Sequence, residues 1–184
     1  TTEIYTLSLH DALPIFEPPY ILLMDDAMST FALPDLVTLL AKRRDEFQQS
    51  IVVAGSASGD SGRLGESVFR IERCPDAALA GLYRDSAVVL YPAAHDGSAM
   101  RIIEALRAGA CIVAPQTAAA IELAGKAPFY YNPAVPNSFM QALRHALGLS
   151  PEERQARVQQ GRNAAARYSW DKTAWKLLSA LKPR

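Results

Sequence analysis

Two acidic residues eight positions apart, Asp96 and Glu104, mark a pattern that suits a sugar or phosphate ligand. Asp96 lies in a short polar loop with Gly97, and glycine lets a backbone approach a ligand closely. The helix predicted after this loop offers free N–H groups and a positive dipole end, which favour a phosphate. Glu104 falls more than one turn inside that helix, whose side chains lean toward its N-terminus. We therefore expect both carboxylates at one pocket, where they could accept hydrogen bonds from sugar hydroxyls.

The elements that position this loop are two short apolar runs and the helix between them. Residues 87–91 end at Pro92, and residues 111–114 end at Pro115. Strand, helix and strand with short links are the unit of a parallel α/β sheet. Ligands of such sheets lie beyond the carboxyl ends of the strands, which is where residues 95–98 would fall. The apolar positions that recur at helical spacing in between are Ala99, Ile102, Ile103, Leu106 and Ala110.

The rest of the chain from Phe16 onward reads as further strands and helices, so we predict one α/β domain with a parallel sheet flanked by helices. The other predicted strands are 20–24, 51–54, 68–71 and 128–131, and the other predicted helices are 33–47, 76–85, 117–124, 137–147, 151–168 and a last helix after Ser169. Asn137 and Ser169 are predicted caps, and Ser150 opens a capping box. We expect Trp170 and Trp175 to anchor the last helix by packing.

Composition excludes several function classes. With 19 basic and 19 acidic residues the chain has no net charge, so nothing points to a nucleic-acid or membrane-surface partner. Cys74 and Cys111 lack metal-ligand spacing, which favours reduced structural thiols of a cytoplasmic protein. No apolar run is long enough to cross a bilayer. Association with a membrane through an absent segment stays open.

The first fifteen residues resemble a translated sequencing adapter and are set aside from fold reasoning. His10 and Asp11 are therefore not candidates for catalysis. We expect residues 1–15 to be artefactual, residues 16–184 to form the domain, and the natural frame to continue upstream of Phe16.

Several weak motifs in one order resemble the C-terminal, donor-binding half of GT-B glycosyltransferases of the family four type. That family has an acidic-Gly-Phe-Gly loop, a second acid eight residues after the first, and then Ala-Met-Ala-x-Gly-x-Pro-Val. The matching segments here are Asp96-Gly97-Ser98-Ala99, Glu104-Ala105-Leu106, Gly109, Ile121-Glu122-Leu123, Asn132-Pro133 and Tyr168-Ser169-Trp170. The resemblance runs from about Tyr20 to Leu181.

This resemblance implies a Rossmann-like domain that binds a nucleoside-diphosphate sugar for hexosyl transfer to an acceptor hydroxyl. The implied reaction retains anomeric configuration and needs no metal or other cofactor. The acceptor, whether glycan, lipid or small molecule, and the other catalytic groups would involve a missing N-terminal domain, and the fragment alone would not turn over substrate.

The resemblance also implies residue roles. Glu104 would bind the ribose hydroxyls, and Asp96 would face the donor sugar. Gly55 matches a loop glycine near the ligand, and residues 71–74 would edge the base. The amides of Gly97, Ser98, Ala99 and Met100 would meet the diphosphate.

The chain also departs from the family. The loop after the first strand carries Asp25 and Asp26 where the family has an arginine and a lysine. Two carboxylates would repel a diphosphate, an effect that grows in a cleft of low dielectric constant. Arg101 or Arg73 could supply the missing charge. Ser98 and Ala99 also replace the family's Phe-Gly.

Ordinary structural roles would also account for three of these residues. Asp96 is equally well explained as a helix cap and Gly55 as a turn residue, whereas for Glu104 the family resemblance favours ligand binding over the role of an ordinary exposed helical glutamate. A non-catalytic descendant kept as a binding module would explain the missing cations. A sugar-nucleotide epimerase would share the same architecture, so these alternatives stay open at this point.

Overall fold

The computed structural model describes residues 18–25, 33–43, 45–55, 62–72, 74–92, 99–135 and 137–181. The strands in these ranges are β1 (Tyr20–Asp25), β2 (Ile51–Gly55), β3 (Gly62–Gly65), β4 (Val68–Glu72), β5 (Ser86–Leu90), β6 (Ile112–Pro115) and β7 (Phe129–Tyr131). The helices are α1 (Leu33–Ala41), α2 (Asp76–Asp85), α3 (Met100–Ala108), α4 (Ala118–Ala124), α5 (Ser138–Leu147), α6 (Pro151–Ala165) and α7 (Trp170–Ala180).

The strands form one sheet in the order β3-β4-β2-β1-β5-β6-β7. All neighbours pair in parallel except β3, which runs antiparallel to β4 at one edge. Leu22 at the centre of β1 pairs with Val52 on one side and with Val89 on the other. All three side chains are buried, as expected of a parallel sheet covered on both faces. The predicted α/β sheet flanked by helices is therefore confirmed.

Side chains alternate between two cores because successive residues of a strand point to opposite faces. Leu22 and Met24 lie in the core covered by α2, α3 and α4, together with Ala165 of α6. Leu23 lies in the opposite core, which α1 and α5 cover. The helix residues that fill the first core include Leu79, Leu82, Ile102, Ile103 and Leu106, and those that fill the second include Leu36, Leu40, Phe139, Met140 and Leu143.

The strand order reverses between β1 and β5. From β1 the chain moves outward through β2 and β4, and from β5 it moves outward in the other direction through β6 and β7. The carboxyl ends of β1 and β5 therefore border a crevice of the kind that holds ligands in open α/β sheets. Helix α3 follows β5 and begins at this edge.

Most helix ends follow the local sequence. Ser150 and Glu153 form the predicted capping box, and the Ser169 hydroxyl accepts from the Lys172 amide. Asn137 occupies the predicted N-cap position of α5, but the expected side-chain capping bond does not form. Asn137 precedes α5 with φ 64° and makes no side-chain cap bond, whereas the Ser138 hydroxyl donates to the Asn132 carbonyl at 2.6 Å.

Two further predictions need correction, and one strand was not predicted. Helix α1 ends at Ala41 rather than at Phe47, whose buried ring packs in the second core from the connection that follows. Strand β3 is not predicted from the sequence, because it depends on pairing with β4. Trp170 and Trp175 are 79% and 72% exposed, so they do not anchor α7 by burial within this domain. Among the described residues, no helix combines the length and the apolar character that a membrane span requires.

Candidate functional site

The residues predicted from the motif divide between described and undescribed parts of the chain. Asp96, Gly97, Ser98, Arg73 and Asp26 lie outside the described residues. Predictions about them stay predictions. The described predicted residues at the carboxyl edge and in the first turns of α3 are Gly55, Ala99, Met100, Arg101 and Glu104.

Ala99 is the residue from which α3 starts, and its backbone is left-handed, with φ 45° and ψ 25°. An alanine in this conformation is strained, whereas glycine adopts it freely. This is the position at which the family motif has its second glycine, so the geometry gives a physical reason for a glycine there. The N-cap position of α3 is Ala99, and the capping role considered for Asp96 stays a prediction because Asp96 lies outside the described residues.

Glu104 is the fifth residue of α3, and its carboxylate meets the guanidinium of Arg101 one turn earlier. The Arg101 Nη1 atom lies 3.3 Å from the Glu104 Oε2 atom. Both side chains are nearly half exposed, at 47% and 46%. An exposed helical ion pair of this kind contributes little stability, so a ligand can displace it at small cost.

A cavity of about 290 Å³ lies between α2 and α3 and includes Glu104 in its wall. Its lining residues are Asp76, Leu79, Ala80, Tyr83, Glu104, Arg107 and Ala108. Most of this lining is apolar, and its charged groups are Glu104 and Arg107 of α3 and Asp76 of α2. Glu104 therefore borders a concave surface, as a ligand-binding carboxylate requires.

A larger cavity of about 530 Å³ lies at the opposite edge of the sheet. It is formed by residues 45–49, which lead into β2, and by the C-terminal end of α5. Arg144 of α5 pairs there with Glu46 at 2.7 Å. The smaller cavity is the better candidate site because it includes Glu104, whereas the larger one lies at the amino edge of the sheet, away from the strand ends where ligands of open parallel sheets bind.

Gly55 closes β2 directly beside Asp25, which closes β1. A β-carbon at Gly55 would lie 2.0 Å from the Asp25 carbonyl oxygen. The glycine is therefore required for close packing of two strand ends, whatever else it contacts.

Arg70 of β4 reaches across to Asp25. Its Nη2 atom lies 3.7 Å from the Asp25 Oδ2 atom, and the two side chains are only 18% and 8% exposed. The positive charge of Arg70 offsets the charge of Asp25, one of the two carboxylates that were expected to repel a diphosphate. The repulsion expected from the sequence is therefore smaller. Sequence reasoning missed Arg70, although an arginine inside the apolar run Val68–Ile71 was a usable signal.

Tyr83 of α2 lines the same cavity as Glu104. The residue is 2% exposed, and its hydroxyl has no hydrogen-bond partner among the described residues. Burial raises the pKa of this phenol, the charge of Glu104 raises it further, and Arg101 is near enough to lower it without reaching hydrogen-bond geometry. For Arg101, burial acts to lower the pKa, but Tyr83 and Glu104 outweigh that effect and raise it. Tyr83 was not among the predicted site residues.

The two cysteines show no sign of chemistry. Both are free thiols, Cys111 buried and Cys74 half-buried. Burial raises the pKa of each thiol, which keeps it protonated and unreactive near neutral pH. In the described ranges, His, Cys, Asp and Glu side chains form no group of three or more that could hold a metal ion.

Comparison with known proteins identifies the family of this chain and its fold. The family model described as glycosyl transferase-like matches residues 35–179. The chain belongs to this glycosyl transferase-like family. No curated protein resembles the chain closely enough in sequence to count as a match.

Solved structures support the same class. A structure described as trehalose-6-phosphate from E. coli bound with UDP-2-fluoro glucose is 19% identical, with a TM-score of 0.69 over 91% of this chain and 45% of that one. Sucrose-phosphate synthase from Thermosynechococcus elongatus is 17% identical, with a TM-score of 0.71 over 89% and 44%. WaaG, a glycosyltransferase involved in lipopolysaccharide biosynthesis, is 17% identical, with a TM-score of 0.65 over 83% and 44%.

These likenesses establish the fold, which is the Rossmann-like α/β fold of GT-B glycosyltransferases. The chain spans less than half the length of each of these three proteins.

Proposed function

We propose that the chain is the donor-binding part of a glycosyltransferase, which binds a nucleoside-diphosphate sugar for hexosyl transfer to an acceptor hydroxyl. The observation that carries this proposal is Glu104, a half-exposed carboxylate beside a cavity at the helix that follows β5. The E. coli structure described as bound with UDP-2-fluoro glucose supports the same ligand class, because its fold matches along 91% of this chain.

The roles proposed for individual residues follow the family motif. Glu104 accepts hydrogen bonds from the ribose hydroxyls, and Asp96 faces the donor sugar. Arg101 or Arg73 offsets the phosphate charge. The backbone amides of residues 97–100 meet the diphosphate, because a helix N-terminus attracts anions. As in the family it resembles, the proposed transfer retains anomeric configuration and uses no metal.

The proposal places the acceptor site on a separate, preceding domain. The matched structures are more than twice as long as the segment that this chain covers. The chain would then bind donor without catalysing transfer by itself.

Calorimetric titration of the full chain with UDP, GDP and ADP tests the proposal. We expect one nucleotide to bind, and Glu104→Ala to weaken that binding at least about tenfold, the loss expected when hydrogen bonds to a charged group are removed. Glu122→Ala is the matched control, since Glu122 is an exposed helical glutamate on α4, away from the cavity. Equal affinity in both variants would contradict the role of Glu104.

A second candidate is a non-catalytic binding module of the same fold. The observation in its favour is the sequence at the end of β1 and directly after it, residues 25–31, which carries Asp25 and Asp26 and no cation. Failure of the folded chain to bind any of the three nucleotides would favour this candidate over the first.

A further inference from the structure

The Tyr83 hydroxyl is unusual among the tyrosines near the site because it is buried without a partner. Its oxygen makes no hydrogen bond to any described residue. Tyr20, in the same core, instead donates its hydroxyl to the Leu82 carbonyl at 3.0 Å. A buried hydroxyl without a partner is unfavourable for folding, so such a group calls for a functional explanation.

Tyr83 and Glu104 line the same cavity, and the charged groups that act on the Tyr83 hydroxyl are Glu104 and Arg101. A guanidinium has only donors, so Arg101 cannot accept the phenol proton. The Glu104 carboxylate has about four lone-pair positions, and Arg101 occupies one oxygen at 3.3 Å. The Glu104 side chain as a whole is 46% exposed. It can therefore accept a hydrogen bond from the core and others from a ligand at the same time.

We propose that Tyr83 is a positioning residue, which donates its hydroxyl proton to Glu104 when the carboxylate turns to bind the vicinal diol of a ribose. This inference rests on the proposed function, because it assigns Glu104 to the ribose. In the ligand-free chain, Arg101 holds Glu104 along α3. In the complex, Tyr83 fixes the inner side of the carboxylate while its outer lone pairs meet the two ribose hydroxyls. Tyr83 itself does not touch the ligand.

The test compares Tyr83→Phe with Tyr20→Phe in the full chain. Each variant is titrated with the nucleoside diphosphate that the wild type prefers among UDP, GDP and ADP, and with its 2′,3′-dideoxy form. We expect Tyr83→Phe to weaken binding of the ribose form about tenfold and binding of the dideoxy form less than about twofold. Tyr20→Phe should leave both affinities unchanged. In a Glu104→Ala background, Tyr83→Phe should have no further effect on either ligand.

Stability supplies an independent readout. Tyr83→Phe removes an unpaired buried hydroxyl and should not lower the urea midpoint, whereas Tyr20→Phe removes a buried hydrogen bond and should lower it.

Three results would overturn the inference, and they are distinguishable. Equal weakening of both ligand forms by Tyr83→Phe would show a merely structural role, while no weakening of either would show no role at all. In both cases the proposed function would stand. If the folded wild-type chain bound none of the three nucleotides, the proposed function would fall, and this inference with it.

Discussion

Gly55 and Asp25 end neighbouring parallel strands so closely that a β-carbon on Gly55 would lie 2.0 Å from the Asp25 carbonyl oxygen. The side chain of Asp25 then turns to Arg70, on the strand beyond. Contacts between β1, β2 and β4 thus lie toward the carboxyl edge of the sheet, where the ligand is proposed to bind. A residue that the sequence suggested for ligand contact is first of all a packing requirement.

Gly55→Ala should therefore destabilise the fold, by about 2 kcal/mol or more, because backbone rather than a flexible side chain opposes the new methyl group. Gly65→Ala is the control, since among the described residues a β-carbon there would meet only Val68 side-chain atoms, at 3.8 and 3.9 Å. Urea unfolding measured by far-UV circular dichroism compares the two variants. Equal midpoints for both would contradict the clash at Gly55.

The left-handed conformation of Ala99 leads to a second prediction. Ala99→Gly should change the free energy of unfolding by less than about 1 kcal/mol, because relief of backbone strain offsets the greater entropy of the unfolded chain. Ala99→Val should cost about 2 kcal/mol, since a β-branched residue tolerates this conformation poorly. As a comparison within the same helix, Ala105→Gly should cost about 1 kcal/mol or more. Chemical denaturation of the three variants provides the measurement, and a larger loss for Ala99→Gly than for Ala105→Gly would contradict the assigned conformation.

Helices α3 and α6 cross closely at Gly161. A β-carbon there would lie 2.7 Å from the Cδ2 atom of Leu106, which is buried. We expect Gly161→Ala to destabilise the wild type by about 1 kcal/mol, although alanine is the better helix former. In a Leu106→Ala background the same change should be stabilising, because the opposing methyl group is gone. A double-mutant cycle by urea unfolding tests this reversal of sign, and additive effects would refute the contact.

The partly buried hydroxyl of Tyr130 leads to a prediction of how the stability of the fold changes at alkaline pH. Its hydroxyl donates to the carbonyls of Ala120 at 3.0 Å and Gly125 at 2.8 Å, and burial raises its pKa from 10.0 to about 12. Between these values the folded chain keeps a proton that the unfolded chain loses. The stability contributed by the neutral phenol is therefore complete below pH 10 and is lost as the pH rises to about 12.

Tyr130→Phe should lower the free energy of unfolding by about 1 kcal/mol near neutral pH. The difference in the free energy of unfolding between wild type and variant should narrow between pH 10 and about 12, because the variant lacks the phenol that titrates there. Urea midpoints measured across that range test the prediction. A gap that widened with increasing pH would contradict the sign.

Local sequence was enough to predict the parts of the fold that local physics determines. Apolar runs gave the parallel strands, and the Ser150 and Ser169 hydroxyls cap their helices as expected. By contrast, β3 contains the sequence Gly-Arg-Leu-Gly and forms through pairing with β4, a contact that no local pattern reveals. The prediction that Trp170 and Trp175 anchor α7 by packing was wrong for a related reason. Helical spacing identifies an apolar face but does not say whether this domain buries it.

The candidate site was predictable in part. The spacing of Asp96 and Glu104 identified the helix and its exposed carboxylate, because helical periodicity fixes which side chains share a face. Arg70 and Tyr83 reach the site from β4 and α2, so their roles depend on tertiary packing and not on the motif. Arg70 is nonetheless a charged residue in an otherwise apolar run, and Tyr83 carries a hydroxyl at the helical spacing of Leu79 and Leu82, which are the signals in the sequence that could have identified them.

The contacts of α3 with the end of α6 limit how far the chain can be shortened from its C-terminal end without loss of the fold. The Arg107 guanidinium donates to the carbonyl of Ala165 at 3.1 Å and to that of Tyr168, about sixty residues further along the chain. Arg107 is also one turn beyond Glu104 on the same helix. A fragment built around Glu104 that folds by itself must therefore include the chain up to Tyr168. A shorter fragment would lose the hydrogen bonds that join Arg107 of α3 to Ala165 and Tyr168.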